Sequence, residues 1–181
     1  PSPFAQLTLF AKNFFKHPKM LGSVVPSSRF LIDRLLNQVD WAEADVIVEY
    51  GPGVGTFTRE ILRRMRPDAR LLVLETNPDF VRHLRSSITD PRLDLYAGSA
   101  ADVQQVLQER SLGGADYVIA GIPFSTLPGE VRSDILQVTH DVLQPGGAFL
   151  VYQFSPKVTS HLRREFSSVQ RGFELLNVPP A

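Results

Sequence analysis

The sequence predicts an α/β fold: a mostly parallel sheet with helices on both faces, preceded by an N-terminal helical arm. Three observations predict it. From residue 46 onward, short β-branched runs alternate with segments of helical periodicity. A glycine-rich turn, Gly51-Pro52-Gly53-Val54-Gly55, joins the first run to the first helical segment. The chain has 181 residues, 43% hydrophobic and 21% charged, the size and composition of one globular domain with a real core.

The elements follow in order. Val46 to Tyr50 is a buried strand ended by Gly51. Thr56 to Met65 reads as a helix, with Phe57, Ile61, Leu62 and Met65 on one face and Pro67 ending it. Leu71 to Leu74 is the second strand. Asn77-Pro78 opens a helix as a cap and a first-turn proline do, with Phe80, Val81, Leu84 and Ile88 as its apolar stripe. Leu93 to Tyr96 is the third strand, Ala100 to Glu109 a helix with Val103, Val106 and Leu107 inward, and Asp116 to Ala120 the fourth strand. Pro128 to Leu143 is a helix carrying Val131, Ile135, Val138 and Val142 at intervals of three or four. Pro145-Gly146-Gly147 reads as a turn into a fifth strand, Ala148 to Phe154. Ser155-Pro156 opens a helix to about Phe166, and Phe173 to Val178 reads as a last strand. A terminal strand with no neighbour to return to leads us to expect that the natural protein continues past Ala181.

Charge divides the chain into an arm, residues 1–32, and a body, residues 33–181. Lys and Arg total 19, as do Asp and Glu. The arm holds Lys12, Lys16, Lys19 and Arg29 and no acid, so the body carries a net −4. A body of that sign weighs against a nucleic-acid partner, which needs a basic groove. With no cysteine there is no disulfide, no thiolate-ligated zinc or iron and no cysteine nucleophile. The four histidines are scattered, so no metal site is expected. The longest apolar runs, such as Ala148 to Tyr152, are strand-sized against the ~20 residues of a membrane-spanning helix. No charged region precedes an apolar run at the start, so no secretory signal is expected.

The turn reads E-x-G-x-G-x-G, from Glu49 through Gly51, Gly53 and Gly55. Glycines at a strand's carboxyl end let the backbone approach a ligand there. Glu75 closes the second strand, 20 residues after Gly55, where a carboxylate can accept both hydroxyls of a ribose. Gly98-Ser99-Ala100 follows the third strand, and Leu143-Gln144-Pro145-Gly146-Gly147 leads into the fifth. In this order the motifs resemble class I S-adenosylmethionine-dependent methyltransferases, over residues 46–178. The resemblance implies a Rossmann-like class I methyltransferase fold and S-adenosylmethionine as cofactor. It implies that Glu49, Gly51, Gly53 and Gly55 face the methionine part, that Glu75 binds the ribose, that Asn77 and Ser99 lie near the adenine, and that Gly121 adjoins the cofactor. Members often carry Asp where this chain has Ser99.

After the fourth strand, Gly121-Ile122-Pro123-Phe124 resembles the N-[LI]-P-[YF] motif of ribosomal RNA adenine dimethyltransferases, with Gly121 in the position of the asparagine that accepts from the adenine amino group. In the arm, Phe4, Leu7, Phe10, Ala11 and Phe14 fall on one helical face, with Lys12, Asn13 and Lys16 mainly off it. Such a helix suits a bilayer interface with anionic headgroups, and equally an arm packed on the protein's own core. Taken with Glu75-Thr76-Asn77-Pro78, Leu127-Pro128 and Tyr152-Gln153-Phe154-Ser155, the chain resembles the bacterial phospholipid N-methyltransferases, which methylate phosphatidylethanolamine stepwise to phosphatidylcholine. That resemblance implies a cytoplasmic enzyme at the inner face of the membrane. Its partners would be an anionic membrane surface and a phospholipid substrate held by Ile122, Pro123, Phe124 and Lys157. Arg163 and Lys19 are further candidates for a headgroup phosphate, and Tyr152 and His17 for a general base. RNA adenine N6-methylation, and a soluble amine substrate with the arm as a lid, are the alternatives.

Overall fold

The computed structural model describes residues 29–152 and 159–170. The arm up to residue 28, with His17 and Lys19, lies outside them, as do Lys157 and the strand expected over 173–178. A helix that the sequence reading did not mark, α1 (Arg29–Leu36), opens the described chain and buries Leu31, Ile32, Leu35 and Leu36. There follow β1 (Val46–Tyr50), α2 (Thr56–Arg64), β2 (Arg70–Leu74), α3 (Pro78–Ser87), β3 (Leu93–Tyr96), α4 (Val103–Glu109), β4 (Ala115–Ala120), α5 (Gly129–Val142), β5 (Leu143–Val151) and α6 (Thr159–Glu165).

All four strand pairings are parallel, in the order β3-β2-β1-β4-β5. This is the Rossmann-like arrangement expected, with β1 between β2 and β4 at the point where the winding reverses. The alternating strand residues feed two cores. Val48, Tyr50, Leu72, Leu74 and Val118 face Val103, Val106, Leu107, Ile135 and Leu136. On the other side Ile47, Leu71, Val73 and Ile119 face Ile32, Leu35, Leu36, Phe57, Ile61 and Leu62. Glu49 lies between buried neighbours on β1 and points to this second side, against α2.

Three expectations shift in detail. The helix expected over Ala100 to Glu109 begins with a 3-10 turn, Ala100–Asp102, because the Ser99 hydroxyl and the Asp102 carboxylate close a capping box there. The fifth strand begins at Leu143 and runs through Pro145-Gly146-Gly147, the residues read as a turn. Leu143 pairs with Ala115, then the register slips before Tyr117 meets Ala148. A bulge with Gly146 at φ 85° accommodates a proline in what is, among the described residues, an edge strand. Val131, the first residue of the apolar spacing read in this helix, is 40% exposed in the first turn of α5.

One side chain ties distant parts together. Arg92, just before β3, donates from Nη2 to the Leu62 carbonyl at 2.7 Å and from Nη1 to those of Met65 at 3.0 Å and Arg66 at 3.2 Å. These are carbonyls that the end of α2 leaves without helical partners. Asp90 holds the same guanidinium at 2.7 Å.

Candidate active site

The carboxyl ends of β1, β2, β4 and β5 lie side by side at one edge of the sheet. The glycine turn leaves β1 with Gly51, Gly53 and Gly55 all at positive φ, 64°, 58° and 80°. The three glycines have different physical reasons. A Cβ on Gly51 would stand 2.7 Å from Ile122 Cγ2, and one on Gly55 2.6 Å from Leu84 Cδ2, so both are required by packing. A Cβ on Gly53 would meet nothing within 4 Å. Gly53 therefore borders open space, where a bound molecule has direct access to the backbone. Arg59, from α2, holds the turn in shape by donating to the carbonyls of Val54 at 2.8 Å and Gly55 at 3.0 Å.

Two buried carboxylates face this turn. Glu49 is fully buried and accepts from the Thr58 hydroxyl at 2.7 Å on one oxygen, while its Oε1 has no partner. Burial pushes its carboxyl up to about 8, with the neighbouring Glu75 charge adding to the rise. Glu75 accepts from the backbone N–H of Asn77 at 2.8 Å and of Gly53 at 3.2 Å. Its pKa is also raised by burial, against those backbone donors. Two such groups with one orphaned oxygen call for a cation. S-adenosylmethionine carries an ammonium and a sulfonium, and its ribose hydroxyls match Glu75, so the residues fit the group.

Tyr152 follows β5, its N–H bonded to the Ala120 carbonyl at 3.2 Å. Its ring stacks on Phe57, centroids 4.2 Å apart and planes 17° off parallel. Burial and the charges of Glu49 and Glu75 raise its hydroxyl well above the ordinary phenol value. A phenol shifted in that direction holds its proton more tightly than a free one. Gly121 lies directly against it. A Cβ at 121 would overlap the Tyr152 hydroxyl and stand 2.6 Å from Cζ and 3.2 Å from the Gly51 carbonyl oxygen. The phenol thus occupies the volume of any side chain at 121.

The other expected residues divide. Ile122 and Pro123 are half-buried at the rim, and Ile122 touches the glycine turn. Phe124 is fully buried, edge-on to Phe149 at 5.9 Å. It supports the loop from beneath, a correction to its expected place on the substrate side. The Asn77 side chain caps α3 by accepting from Asp79 N–H at 2.9 Å. The Ser99 hydroxyl accepts from Ala101 N–H at 3.1 Å, which leaves its own proton free for a ligand. Thr58 escaped the sequence reading, although a threonine inside the buried stripe between Phe57 and Ile61 signals a polar partner across the interface.

Substituting Gly53 by valine is expected to abolish cofactor binding while leaving the sheet folded. The Cβ enters only open space, and the left-handed backbone adds about 1–2 kcal/mol of strain. Calorimetric titration with S-adenosylmethionine, beside a thermal melt, checks this; normal affinity would mean that the turn does not approach the cofactor.

Comparison with known proteins places this geometry. The model of the ribosomal RNA adenine dimethylase family matches residues 14–144. The chain is 38% identical over 175 residues to an ornithine lipid N-methyltransferase from Singulisphaera acidiphila, covering 96% of this chain and 91% of that protein. It is 28% identical over 121 residues to ribosomal RNA small subunit methyltransferase A of Mycoplasma mycoides, covering 67% of this chain and only 43% of that one. Among solved structures, a precorrin-6y C5,15-methyltransferase from Geobacter metallireducens superposes with a TM-score of 0.60 at 17% identity, over 74% of this chain and 66% of that one. Human N-acetylserotonin methyltransferase in complex with SAM gives 0.51 at 17%, over 83% and 38%. These two likenesses establish the fold.

Proposed function

This chain belongs to the ribosomal RNA adenine dimethylase family of S-adenosylmethionine-dependent methyltransferases, and from that premise we propose that it methylates the amine of a membrane lipid, phosphatidylethanolamine and its methylated derivatives, at the inner face of the membrane. The observation that carries this reading is the Gly121–Tyr152 contact. The asparagine of the adenine-methylating motif has no room here, because the Tyr152 ring fills its place and is itself backed by Phe57. An aliphatic amine needs no acceptor shaped to a base edge. The likeness to an ornithine lipid N-methyltransferase over nearly the whole chain supports the same acceptor class. No helix among the described residues is long and apolar enough to cross a membrane, so this reading brings the enzyme to its lipid from the surface.

When bound, S-adenosylmethionine supplies an electrophilic methyl group. The residues of this chain supply position and environment. Glu49 and Glu75 offer negative charge to a cationic ligand, and Glu75 with the Gly53 backbone fixes its place beside the turn. The Tyr152 hydroxyl, kept protonated, offers its oxygen to an N–H of a primary or secondary amine and so orients the nitrogen lone pair; a dimethylated amine, which has no N–H when neutral, is placed by the shape of the site alone. The Phe57–Tyr152 stack holds that oxygen still and keeps water off the reacting atoms. The acceptor must arrive neutral, since an ammonium has no lone pair.

The test is incubation with labelled S-adenosylmethionine and three acceptors: anionic vesicles containing phosphatidylethanolamine, ribosomal RNA, and free ethanolamine derivatives. Label in the lipid alone supports the proposal. Label in RNA, or in the soluble amine at an equal rate, replaces it with one of the alternatives. Lys12, Lys16 and Lys19 changed together to Glu are expected to abolish sedimentation with anionic vesicles. Each lysine near such a surface contributes about 1 kcal/mol, and salt screens that attraction. A wild-type protein that fails to sediment at low salt would exclude the interfacial role of the arm.

A further inference from the structure

Two arginines and a histidine gather where α6 packs on α5, with no carboxylate paired to them among the described residues. Arg132 lies in the first turn of α5, directly after the loop that carries Gly121 to Phe124. Its Nη1 reaches the Phe124 carbonyl at 3.5 Å, and its Nε is buried without a partner. His161 and Arg164 come from α6, one turn apart, and α6 starts beyond the carboxyl end of β5 and packs on α5. His161 is half-buried, and Arg164 is exposed. Its partial burial and then the charges of Arg132 and Arg164 depress the His161 pKa, so the three groups feel one another. Among the described residues, no carboxylate pairs with any of them. Several arginines elsewhere in the fold are matched, Arg64 to Glu60 and Asp33, Arg66 to Asp45 and Asp68, Arg110 to Asp94 and Glu109, while Arg59 and Arg70 spend their donors on backbone carbonyls.

Like charges held together without a counter-ion repel, and an entering anion relieves that repulsion. Two guanidinium forks suit the paired oxygens of a phosphodiester or carboxylate. We propose that Arg132, His161 and Arg164 form an anion subsite that takes the oxyanion of the lipid headgroup and so aims its amine at the methyl-transfer point. The identity of the anion's owner rests on the lipid reading above; the subsite itself does not. The two headgroup chemistries share the required feature. Phosphatidylethanolamine carries its phosphate two carbons and an oxygen from the amine, and an ornithine lipid carries a carboxylate on the same chain as its amine.

Two measurements decide the matter. In the first, the His161 ring resonance is titrated with pH, with and without inorganic phosphate, in wild type, Arg132→Gln and the solvent-exposed Arg164→Gln. Phosphate is expected to raise the His161 pKa in wild type and to lose that effect in both variants. An unmoved pKa in folded wild type overturns the subsite, whatever the lipid activity. In the second, methylation is followed in micelles of an uncharged maltoside detergent, with phosphatidylethanolamine, ornithine lipid or a long-chain alkylamine as acceptor. For Arg164→Gln, the KM for phosphatidylethanolamine relative to that for the alkylamine is expected to rise roughly ten- to hundredfold, the loss of one charged hydrogen bond. A matching rise for ornithine lipid means that the subsite accepts carboxylate as well; a rise confined to phosphatidylethanolamine restricts it to phosphate. An equal rise for the alkylamine overturns the proposal. Failure of wild type to methylate any lipid removes the lipid reading, while the phosphate titration still decides the subsite.

Discussion

Gly121→Asn is expected to reduce lipid methylation at least about a hundredfold, the scale of an ångström-sized misplacement of reacting groups. The new Cβ overlaps the Tyr152 hydroxyl on one side and comes within 3.2 Å of the Gly51 carbonyl on the other. Phe57 lies flat against one face of Tyr152 at 4.2 Å, so the ring cannot retreat in that direction. Overpacking of this kind costs about 1–3 kcal/mol, read as a lower melting temperature. A second change, Tyr152→Ala, empties the contested space. The double variant is expected to recover most of the lost stability and to bind S-adenosylmethionine, yet to remain inactive on phosphatidylethanolamine, because the hydroxyl that orients the amine is gone. Wild-type turnover in Gly121→Asn would disprove the steric exclusion on which the lipid reading rests.

Glu49→Gln is expected to divide stability from binding. The glutamine oxygen can still accept from Thr58, but the charge is lost. In the cofactor-free protein Glu49 is raised from 4.5 to about 8. The folded state therefore binds more protons than the unfolded chain across that window, and this group's contribution to stability falls as pH rises from 4.5 to about 8. Thermal melts of the wild type between those values should slope downward. The slope should be shallower in Glu49→Gln, with Glu75 accounting for what remains, and the variant should melt higher near pH 8. A cationic cofactor favours the ionised carboxylate, so wild-type affinity should climb with pH until Glu49 is deprotonated. The variant should lose that climb and bind ten- to hundredfold more weakly, on the order of 1.5–3 kcal/mol. Equal affinities in calorimetry would show that Glu49 does not face the cofactor's charge.

The sheet, its strands and the cofactor turn were legible because they rest on local rules. Buried parallel strands are continuous β-branched runs, and a strand-to-helix turn under a ligand needs glycine at fixed intervals. Glu75 was legible because one helix and one strand set its distance from Gly55. What stayed hidden depends on neighbours far apart in sequence. Gly121 and Tyr152 were each singled out, but their mutual exclusion follows only from the pairing of β4 with β5, which sets Ala120 beside Val151. Phe124 looked like a substrate platform because its motif presents an aromatic there; its burial comes from Phe149 on the next strand. Arg132, His161 and Arg164 were not singled out in the sequence, since only the packing of α6 on α5 gathers them. The bulged start of β5 was misread because proline and two glycines also spell a turn.

Arg92 sets which parts of the molecule can open independently. It binds carbonyls at and just past the end of α2 from the start of β3, so the last turn of the helix behind the glycine turn and the outermost strand on that side are fastened by one side chain. An edge strand is ordinarily among the first segments to detach in brief excursions from the native state. Here, detachment of β3 also uncaps α2, so the amides of both segments should exchange with solvent together and later than those of an unfastened edge. The fastening lies at the amino ends of the strands, so the edge opposite the glycine turn is held by contacts that no ligand has to supply.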